Sequence, residues 1–488
     1  MISMPSILWE SPHDKAYPEN SMSCPDKQVA EDEAWVPSRF NVRAVTEDGG
    51  ILLWNTLSGS MSLFKPGQAG RIKGLLARKG HGATGDPFAK YLYDRGFLVK
   101  QSSDELSKFR YYFGQQHYRD DVLQLILMSS EDCNFRCKYC YEKFARGTML
   151  PWVRRGIKNF VEKKAGRLRN LSINWFGGEP LYGFKAIEDL APFFKEQAEK
   201  NGLAFHSHMT TNGYLLTPDI VTKLFDWRIS AFQITLDGLP ENHNCNRPTR
   251  EGGATFDTIF NNLVAMKERA DNFHVGLRVN FDWENAPHMD RFLDMTSAAF
   301  GGDERFQLNF HRIGKWGGDR DDQLEVCGGK DGDAVLRDLK AEAKRRGLNI
   351  RTLKMSNRLG GEACYAARPY NFLINARGQV MKCTILLDTK PSNIVGQIDE
   401  EGGLDLDAER MALWTDPSFE SDLQCQKCTV LPLCQGIHCP LVRIERGGRT
   451  CSSTRTNGKG DLLELLNSRK EKARIVKIPS EALQSMTV

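Results

Sequence analysis

Short apolar stretches alternate with helix-like segments through the middle of the chain. Six stretches have strand length, and they fall at 122–128, 171–176, 204–210, 231–235, 274–281 and 306–310. Between them apolar residues recur at helical spacing, as at Val153, Ile157 and Phe160. Repeated βα units with hydrophobic strands predict an α/β fold with a parallel sheet and right-handed crossovers. Periodicity alone does not distinguish an open barrel from a doubly wound sheet.

Smaller elements flank this central region. Upstream of it, the pattern predicts a strand at Ile51–Gly59, two short amphipathic helices and a closing strand at Gly96–Lys100. The first residues are polar and contain proline, which predicts a mobile segment. Leu462 and its neighbouring leucines predict one docked helix before a loose tail. The predicted domains are therefore 1–37, 38–115, 116–350, 351–455 and 456–488.

Composition limits the kinds of binding partner that the protein can have and indicates its cellular compartment. The 488 residues include 66 Lys and Arg against 62 Asp and Glu, a balance that favours neither nucleic acid nor an anionic membrane surface as a partner. No apolar stretch approaches the length of a membrane span, and the amino terminus lacks a basic-then-apolar signal, so we expect a cytoplasmic protein. Its thirteen cysteines, clustered at short spacings, then predict metal ligands rather than disulfides.

The most informative cluster is a C-x3-C-x2-C triplet formed by Cys133, Cys137 and Cys140. It follows the strand at 122–128, where α/β proteins place their ligands. Three thiolates for a cubane cluster of four irons leave one iron without a protein ligand, whereas a structural zinc site takes four ligands. The triplet therefore predicts a 4Fe–4S cluster that does chemistry at its open iron. The alternatives are chance cysteines or a zinc knuckle.

A second motif ends the next predicted strand. There Gly177 and Gly178 let the backbone approach a ligand closely, Glu179 supplies a carboxylate for an ammonium group, and Pro180 fixes the turn. On its own this turn is weak evidence for a ligand site, but its position after the cysteine triplet makes it strong evidence.

Together the two motifs resemble the radical S-adenosylmethionine (radical SAM) superfamily. The resemblance implies a partial (β/α)6 barrel, with the open iron chelating the amino and carboxylate groups of the cofactor's methionine. It assigns cofactor binding to Tyr139 of the triplet and to the Gly177–Pro180 turn. A Thr-Leu-Asp-Gly run at Thr235 and the nearby Arg247 are similar to residues that line the cofactor pocket in sulfatase and peptide maturases. Arg278 and Asn280 would face the cofactor or only satisfy each other.

Seven more cysteines lie in the carboxyl-terminal third. They are Cys364, Cys383, Cys425, Cys428, Cys434, Cys439 and Cys451. Their order resembles the SPASM domain, which binds two auxiliary 4Fe–4S clusters, although the gap between Cys434 and Cys439 is one residue longer than usual. The family's interleaved ligation implies two groups: Cys425, Cys428, Cys434 and Cys451 in one, and Cys364, Cys383 and Cys439 in the other. A zinc ribbon beginning at Cys425 is the alternative.

The group with three cysteines lacks an obvious fourth ligand. No cysteine lies between Cys364 and Cys383, so its cluster would have an open iron able to bind a substrate thiolate. The alternative is a distant ligand such as Cys327, in the glycine-rich loop 317–332. Cys327 is also a candidate catalytic hydrogen donor, or an inert thiol.

The amino-terminal module resembles the winged-helix leader-recognition elements of maturases that modify ribosomally made peptides. Such a module would bind a leader by adding it to a sheet edge, the alternative being a structural cap on the barrel. The resemblance implies a precursor peptide with a leader as substrate and an electron donor such as flavodoxin or ferredoxin. The implied cofactors are three 4Fe–4S clusters and S-adenosylmethionine.

The first functional hypothesis is a peptide maturase that forms a thioether cross-link, with C–C and ether cross-links left open. The second is a sulfatase-type maturase that forms formylglycine. The third, from another class, is a non-catalytic iron–sulfur scaffold, which leaves the Gly177–Pro180 turn unexplained.

Overall fold

A computed structural model describes residues 34–77, 86–144, 146–350, 359–387 and 390–468. The strands are β1 (Trp35–Pro37), β2 (Asn41–Val45), β3 (Ile51–Asn55), β4 (Met61–Phe64), β5 (Leu98–Lys100), β6 (Val122–Ser130), β7 (Asn170–Gly177), β8 (Ala204–Thr211), β9 (Ile229–Thr235), β10 (His274–Phe281), β11 (Phe306–Arg312), β12 (Asn371–Ile374), β13 (Gln379–Met381), β14 (Ile394–Ile398) and β15 (Leu404–Leu406).

The helices are α1 (Pro66–Ala77), α2 (Pro87–Asp94), α3 (Glu105–His117), α4 (Pro151–Ala165), α5 (Phe184–Asn201), α6 (Pro218–Asp226), α7 (Pro240–Asn246), α8 (Phe256–Lys267), α9 (Met289–Phe300), α10 (Gly329–Arg345), α11 (Ala408–Thr415), α12 (Leu423–Gln426), α13 (Leu431–Cys434), α14 (Pro440–Arg446) and α15 (Ser453–Ser468). Short 3-10 turns lie at Pro180–Gly183, Ala286–His288, Asp321–Gln323, Tyr365–Ala367, Pro391–Asn393 and Ser418–Glu420.

The six predicted strands form the parallel part of one large sheet, as β6 to β11. Each pairs in parallel with the next along the chain, in the order β11-β10-β9-β8-β7-β6. A doubly wound sheet would reverse its order at a switch point, and β6 to β11 contain no such reversal. The sheet is therefore wound in one direction, which favours the open barrel over the doubly wound alternative.

The first strand of this series, β6, is buried on both faces. Leu123, Leu125 and Leu127 join the main hydrophobic core with the helices, while Ile126 and Met128 belong to a second apolar cluster on the opposite face. This explains why its sequence is continuously apolar rather than alternating. Its carboxyl end positions the cysteine triplet.

The sheet continues beyond the parallel series into the cysteine-rich segment. Strand β12 pairs in parallel with β6, and β13, β14 and β15 follow in antiparallel order. Sequence analysis did not predict these strands. They place Cys383, which follows β13, two strands away from the strand that leads to Cys133.

The amino-terminal module packs on the carboxyl-terminal cysteine-rich segment. Strands β2, β3 and β4 form an antiparallel sheet, followed by α1 and α2. Trp54 on β3 packs with Leu433 and with Leu462 of α15, and Thr56 Oγ1 donates a hydrogen bond of 2.5 Å to the carbonyl of Thr429. These contacts join the module to the cysteine-rich segment.

The mobile segment predicted at 1–37 needs a correction at its end. Strand β1 pairs with β5, and Trp35 stacks on Tyr93 with ring centroids 4.3 Å apart, so residues 35–37 are part of the module. Residues 1–33 lie outside the described part of the chain, as does the tail from 469 onward. The predicted docked helix is α15. None of the helices in the described ranges is both long and apolar enough to cross a bilayer.

Candidate active site

The three cysteines of the triplet line one cavity at the carboxyl ends of the parallel strands. The cavity measures about 1170 Å³ with its open mouth. Burial, and then the charge of Glu179, raises the pKa of the Cys133 thiol to about 12, so a metal must displace its proton before it can act as a ligand. The other residues named in the sequence analysis that line this cavity are Tyr139, Gly177, Gly178, Thr235, Arg247, Arg278 and Asn280.

Backbone hydrogen bonds fix the triplet loop. Arg136 N donates to the carbonyl of Pro248 at 3.0 Å, and Lys138 N donates to that of Asn246 at 2.9 Å. Arg250 N donates back to the carbonyl of Asn134 at 2.8 Å. The loop is thus paired like a short strand with the segment after α7, which preorganises the cysteines without help from a metal.

Two glycines allow the turn after β7 to lie against the triplet loop. Gly177 has φ +123°, and a Cβ there would overlap the carbonyl oxygen of Ser130. A Cβ on Gly178 would come within 2.7 Å of the Asp132 carbonyl oxygen. Both glycines also line the cavity, so this backbone forms a close-fitting cradle, as a small bound cofactor requires.

We expect Gly177→Ala to cost at least about 2 kcal/mol of unfolding free energy, because it adds a steric overlap to an unfavourable φ. Its matched control is Gly202→Ala, which has φ +62° with no atom near the added Cβ and should cost only about 1 kcal/mol. Urea denaturation of both variants measures the difference. Equal costs would mean that the turn can move away from the triplet loop.

Glu179 is fully buried, and protein groups occupy both of its oxygens. Thr211 Oγ1 and Asn212 N each donate to its carboxylate at 2.7 Å. Asn212 Nδ2 in turn donates to Asn134 Oδ1 at 2.8 Å, so the carboxylate connects the ends of β7 and β8 to the triplet loop. Pro180 is also buried, and its carbonyl accepts from Ser129 Oγ at 2.9 Å. A bond from Glu179 to a cofactor ammonium group stays a prediction.

The Tyr139 hydroxyl is the centre of a hydrogen-bond network that joins several strand ends. It donates to Asp237 Oδ2 and accepts from Arg247 Nη1 at 2.7 Å and from Asn280 Nδ2 at 3.0 Å. Burial raises the pKa of the fully buried Asp237. Asp237 belongs to the Thr-Leu-Asp-Gly run that begins at Thr235, and the structure gives its carboxylate the Tyr139 hydroxyl as a partner.

Three arginines, Arg247, Arg278 and Arg312, line the cavity and make it suitable for anionic groups. Arg278 Nε donates to Asn280 Oδ1 at 2.8 Å. Arg278 and Asn280 therefore both face the cavity and also form a hydrogen bond with each other. The two roles considered for them, facing the cavity and pairing with each other, are compatible. A positive, glycine-lined cavity with three cysteines fits a 4Fe–4S cluster and S-adenosylmethionine, whose methionine carries a carboxylate.

Farther along the chain, Cys364, Cys383 and Cys439 are electrostatic neighbours. Burial raises the pKa of Cys364 to about 12, and the neighbouring Cys383 and Cys439 contribute to this rise. Burial likewise raises the pKa of Cys383 to about 11. Lys382 lies beside this three-cysteine group, and burial lowers its pKa to about 7 while Cys364 acts in the opposite direction.

The other four cysteines of the carboxyl-terminal third, Cys425, Cys428, Cys434 and Cys451, form a second neighbourhood. Burial raises the pKa of Cys434 to about 12, with further contributions from Cys428 and Cys425. Cys451 is exposed, and Arg455 Nη1 donates to its sulfur at 2.7 Å while interacting electrostatically with Cys428. These neighbourhoods match the two groups that the SPASM resemblance implies; their occupation by clusters stays a prediction.

The described residues contain no set of three or more His, Cys, Asp and Glu side chains close enough to hold a single metal ion. Cys327 is 1% exposed in the main core, and its charged neighbours are Arg312, Asp282 and Asp331. It does not line the cavity, so this geometry favours an inert thiol.

Comparisons with known proteins agree with this geometry. Residues 127–295 match the profile of the radical SAM superfamily. The radical SAM cyclopropyl synthase TigE of Paramaledivibacter caminithermalis is 24% identical over 36% of this chain, and the match spans only 40% of its own length. The serine-type anaerobic sulfatase-maturating enzyme of Klebsiella pneumoniae is 22% identical over 63% of this chain and 79% of its own length.

Among solved structures, that of native anSMEcpe with bound AdoMet is similar in fold. It has a TM-score of 0.52 at 18% identity, covering 74% of this chain and 100% of that chain.

Proposed function

We propose that this radical SAM enzyme is a peptide maturase that cleaves S-adenosylmethionine and oxidatively cross-links a ribosomally made precursor peptide by a thioether bond. Such a reaction takes place where the precursor is made, in the cytoplasm. The similarity of this chain to a sulfatase-maturating enzyme supports a peptide or protein substrate.

In this proposal, Cys133, Cys137 and Cys140 hold the cluster that binds S-adenosylmethionine, and the Gly177–Pro180 turn, Thr235 and Arg247 surround the cofactor. When bound, the cluster and S-adenosylmethionine together would supply a 5′-deoxyadenosyl radical, which removes a hydrogen atom from an unactivated carbon. The chain's own residues orient the cofactor and exclude water from the cavity. The Tyr139 network fixes the triplet loop relative to the ends of β9 and β10.

The observation that carries the thioether proposal is the group of only three cysteines, Cys364, Cys383 and Cys439. Within the described ranges, the charged neighbours of Cys327 do not include any of these three, so the geometry gives no support to Cys327 as a fourth ligand. A cluster held there would keep a position for the sulfur of a substrate cysteine. That arrangement suits formation of a carbon–sulfur bond.

The amino-terminal module supports a leader-bearing substrate. Strand β4 ends its three-stranded sheet and pairs only with β3 among the described strands. An extended leader would add to this edge through main-chain hydrogen bonds. We expect a precursor without its leader to be modified at least about tenfold more slowly, with activity restored by adding the leader as a separate peptide. Equal rates for both precursors would remove the module from substrate recognition.

The test uses reconstituted, chemically reduced enzyme and a short cysteine-containing precursor peptide, to be sought among the reading frames that neighbour its gene. A thioether product loses two hydrogen atoms and one thiol that iodoacetamide can alkylate. Mass spectrometry with and without alkylation therefore identifies it. Cleavage of S-adenosylmethionine with an unmodified precursor would reject this substrate class, and absence of cleavage would support the scaffold hypothesis instead.

Formylglycine formation is the second candidate, because the sulfatase-maturating enzyme aligns over most of its length. Oxidation of serine to formylglycine also removes two hydrogen atoms, so mass alone does not separate the candidates. Formylglycine keeps every other thiol alkylatable and reacts with a hydrazide probe. A hydrazide-positive product would replace the thioether proposal.

A further inference from the structure

Lys382 is a fully buried lysine beside the three-cysteine group. It lies between β13 and Cys383, with 0% of its surface exposed. Its Nζ donates to the carbonyls of Arg368 at 2.7 Å and Asn371 at 2.6 Å, and it lies 5.3 Å from the ring centroid of Phe372. These partners fix the ammonium group in place but carry no negative charge.

Burying an ammonium group without a counter-charge is expensive, and carbonyl dipoles offset only part of the desolvation cost. Arg368 adds a second cation, and its Nη2 also donates to a carbonyl, that of Gly360, at 3.1 Å. Among the described residues, no carboxylate forms an ion pair with either cation. The acidic group that both of them face is the thiol of Cys364.

A buried histidine, His117, lies near both of these side chains. Burial, together with the charges of Arg368 and Lys382, lowers the pKa of His117 to about 4. The region around Cys364 is therefore electropositive and apolar. A group that binds there is favoured if it is negatively charged.

We propose that Lys382, assisted by Arg368, is the built-in counter-charge of an anionic iron–sulfur cluster held by Cys364, Cys383 and Cys439, and that it raises the reduction potential of this cluster. The inference rests on the proposed function, because it requires an auxiliary cluster at this group. Each added electron makes a cluster more negative, so a fixed buried cation stabilises the reduced form more than the oxidised form. Lys382 thus places a positive charge beside the cluster and does not ligate iron.

The experiment is a potentiometric titration followed by electron paramagnetic resonance. It uses a background in which Cys133, Cys137 and Cys140 are all alanine, so that only the auxiliary cysteines remain to hold clusters. We expect Lys382→Met to move one of two auxiliary potentials to a more negative value and to leave the other unchanged. Lys382→Arg should restore most of the original potential, since it retains the charge.

The matched control is Lys390→Met, which removes a lysine from the same segment at the surface. Lys390 is half-exposed and paired with Glu445 at 2.8 Å, so solvent and salt screen its charge and no shift is expected. Two clusters with unchanged potentials in Lys382→Met would overturn the inference and leave the proposed function intact. Iron analysis that finds no auxiliary cluster in the parent protein would overturn both. If Lys382→Met lacks one cluster while Lys382→Arg keeps it with its original potential, the counter-charge role is supported.

Discussion

Replacing Cys133, Cys137 and Cys140 together by alanine is expected to abolish reductive cleavage of S-adenosylmethionine. The three sulfurs line the cavity on one hydrogen-bonded loop, so their loss removes the binding site of the proposed cluster, and no other cysteine in the described ranges lines that cavity. The iron content should fall by about four atoms per chain. Without the cofactor chemistry the enzyme loses its whole rate enhancement over the uncatalysed reaction, which is at least about a millionfold. Anaerobic assays of 5′-deoxyadenosine and methionine measure this effect.

The matched control for the triplet is Cys245→Ser. Cys245 is exposed on α7, and its sulfur lies 3.0 Å from Nζ of Lys138 on the triplet loop, so the variant perturbs the same region without touching the cavity. It should keep its iron and its cleavage rate. Undiminished cleavage by the triple alanine variant would refute the assignment of the cofactor site.

The sequence predicted those features that depend on local pattern. The apolar residues identify β6 to β11 because each strand contributes buried side chains to the core, and β6 in particular is buried along most of its length. The triplet and the Gly177–Pro180 turn were recognisable because their chemistry depends on short spacings. Five of these six strands extend a residue or two farther than predicted, since pairing continues past the apolar run to residues such as Ser130 and Gly177, whereas β10 has its predicted bounds.

Features that depend on long-range contacts were not predictable in this way. The contact of Thr56 with Thr429 joins positions 373 residues apart, and nothing local in either segment indicates it. Strand β12 has only four residues, too few for a periodic pattern. Lys382 has the sequence character of a solvent-exposed residue, and only the fold reveals that it is buried.

The network around Tyr139 was predictable only in part. The sequence indicated Arg247 and Asn280 separately, by family resemblance and by their positions near strand ends. Their common partner depends on the register between β9 and β10, which aligns Thr235 with Arg278 and brings Asp237 close to Asn280. A register shift of one residue would turn these side chains to the other face of the sheet.

Replacing Cys383 by alanine is expected to separate cofactor cleavage from product formation. Cys383 belongs to the three-cysteine group and does not line the triplet cavity, so cleavage of S-adenosylmethionine should remain within about threefold of the parent rate. Loss of one sulfur from a group that has only three should remove one cluster and about four irons. Cross-linked product should then fall at least about a hundredfold, because the substrate sulfur loses its proposed binding position.

The matched control is Cys327→Ala, which removes another buried sulfur of the main hydrophobic core, one that belongs to neither auxiliary group. If cysteine burial alone mattered, the two variants would behave alike. If the three-cysteine group acts on the substrate, only Cys383→Ala loses iron and product while both variants retain cleavage. Iron analysis, 5′-deoxyadenosine assays and mass spectrometry of the precursor separate these outcomes. Full cross-linking by Cys383→Ala would require a route to the product that does not use this group.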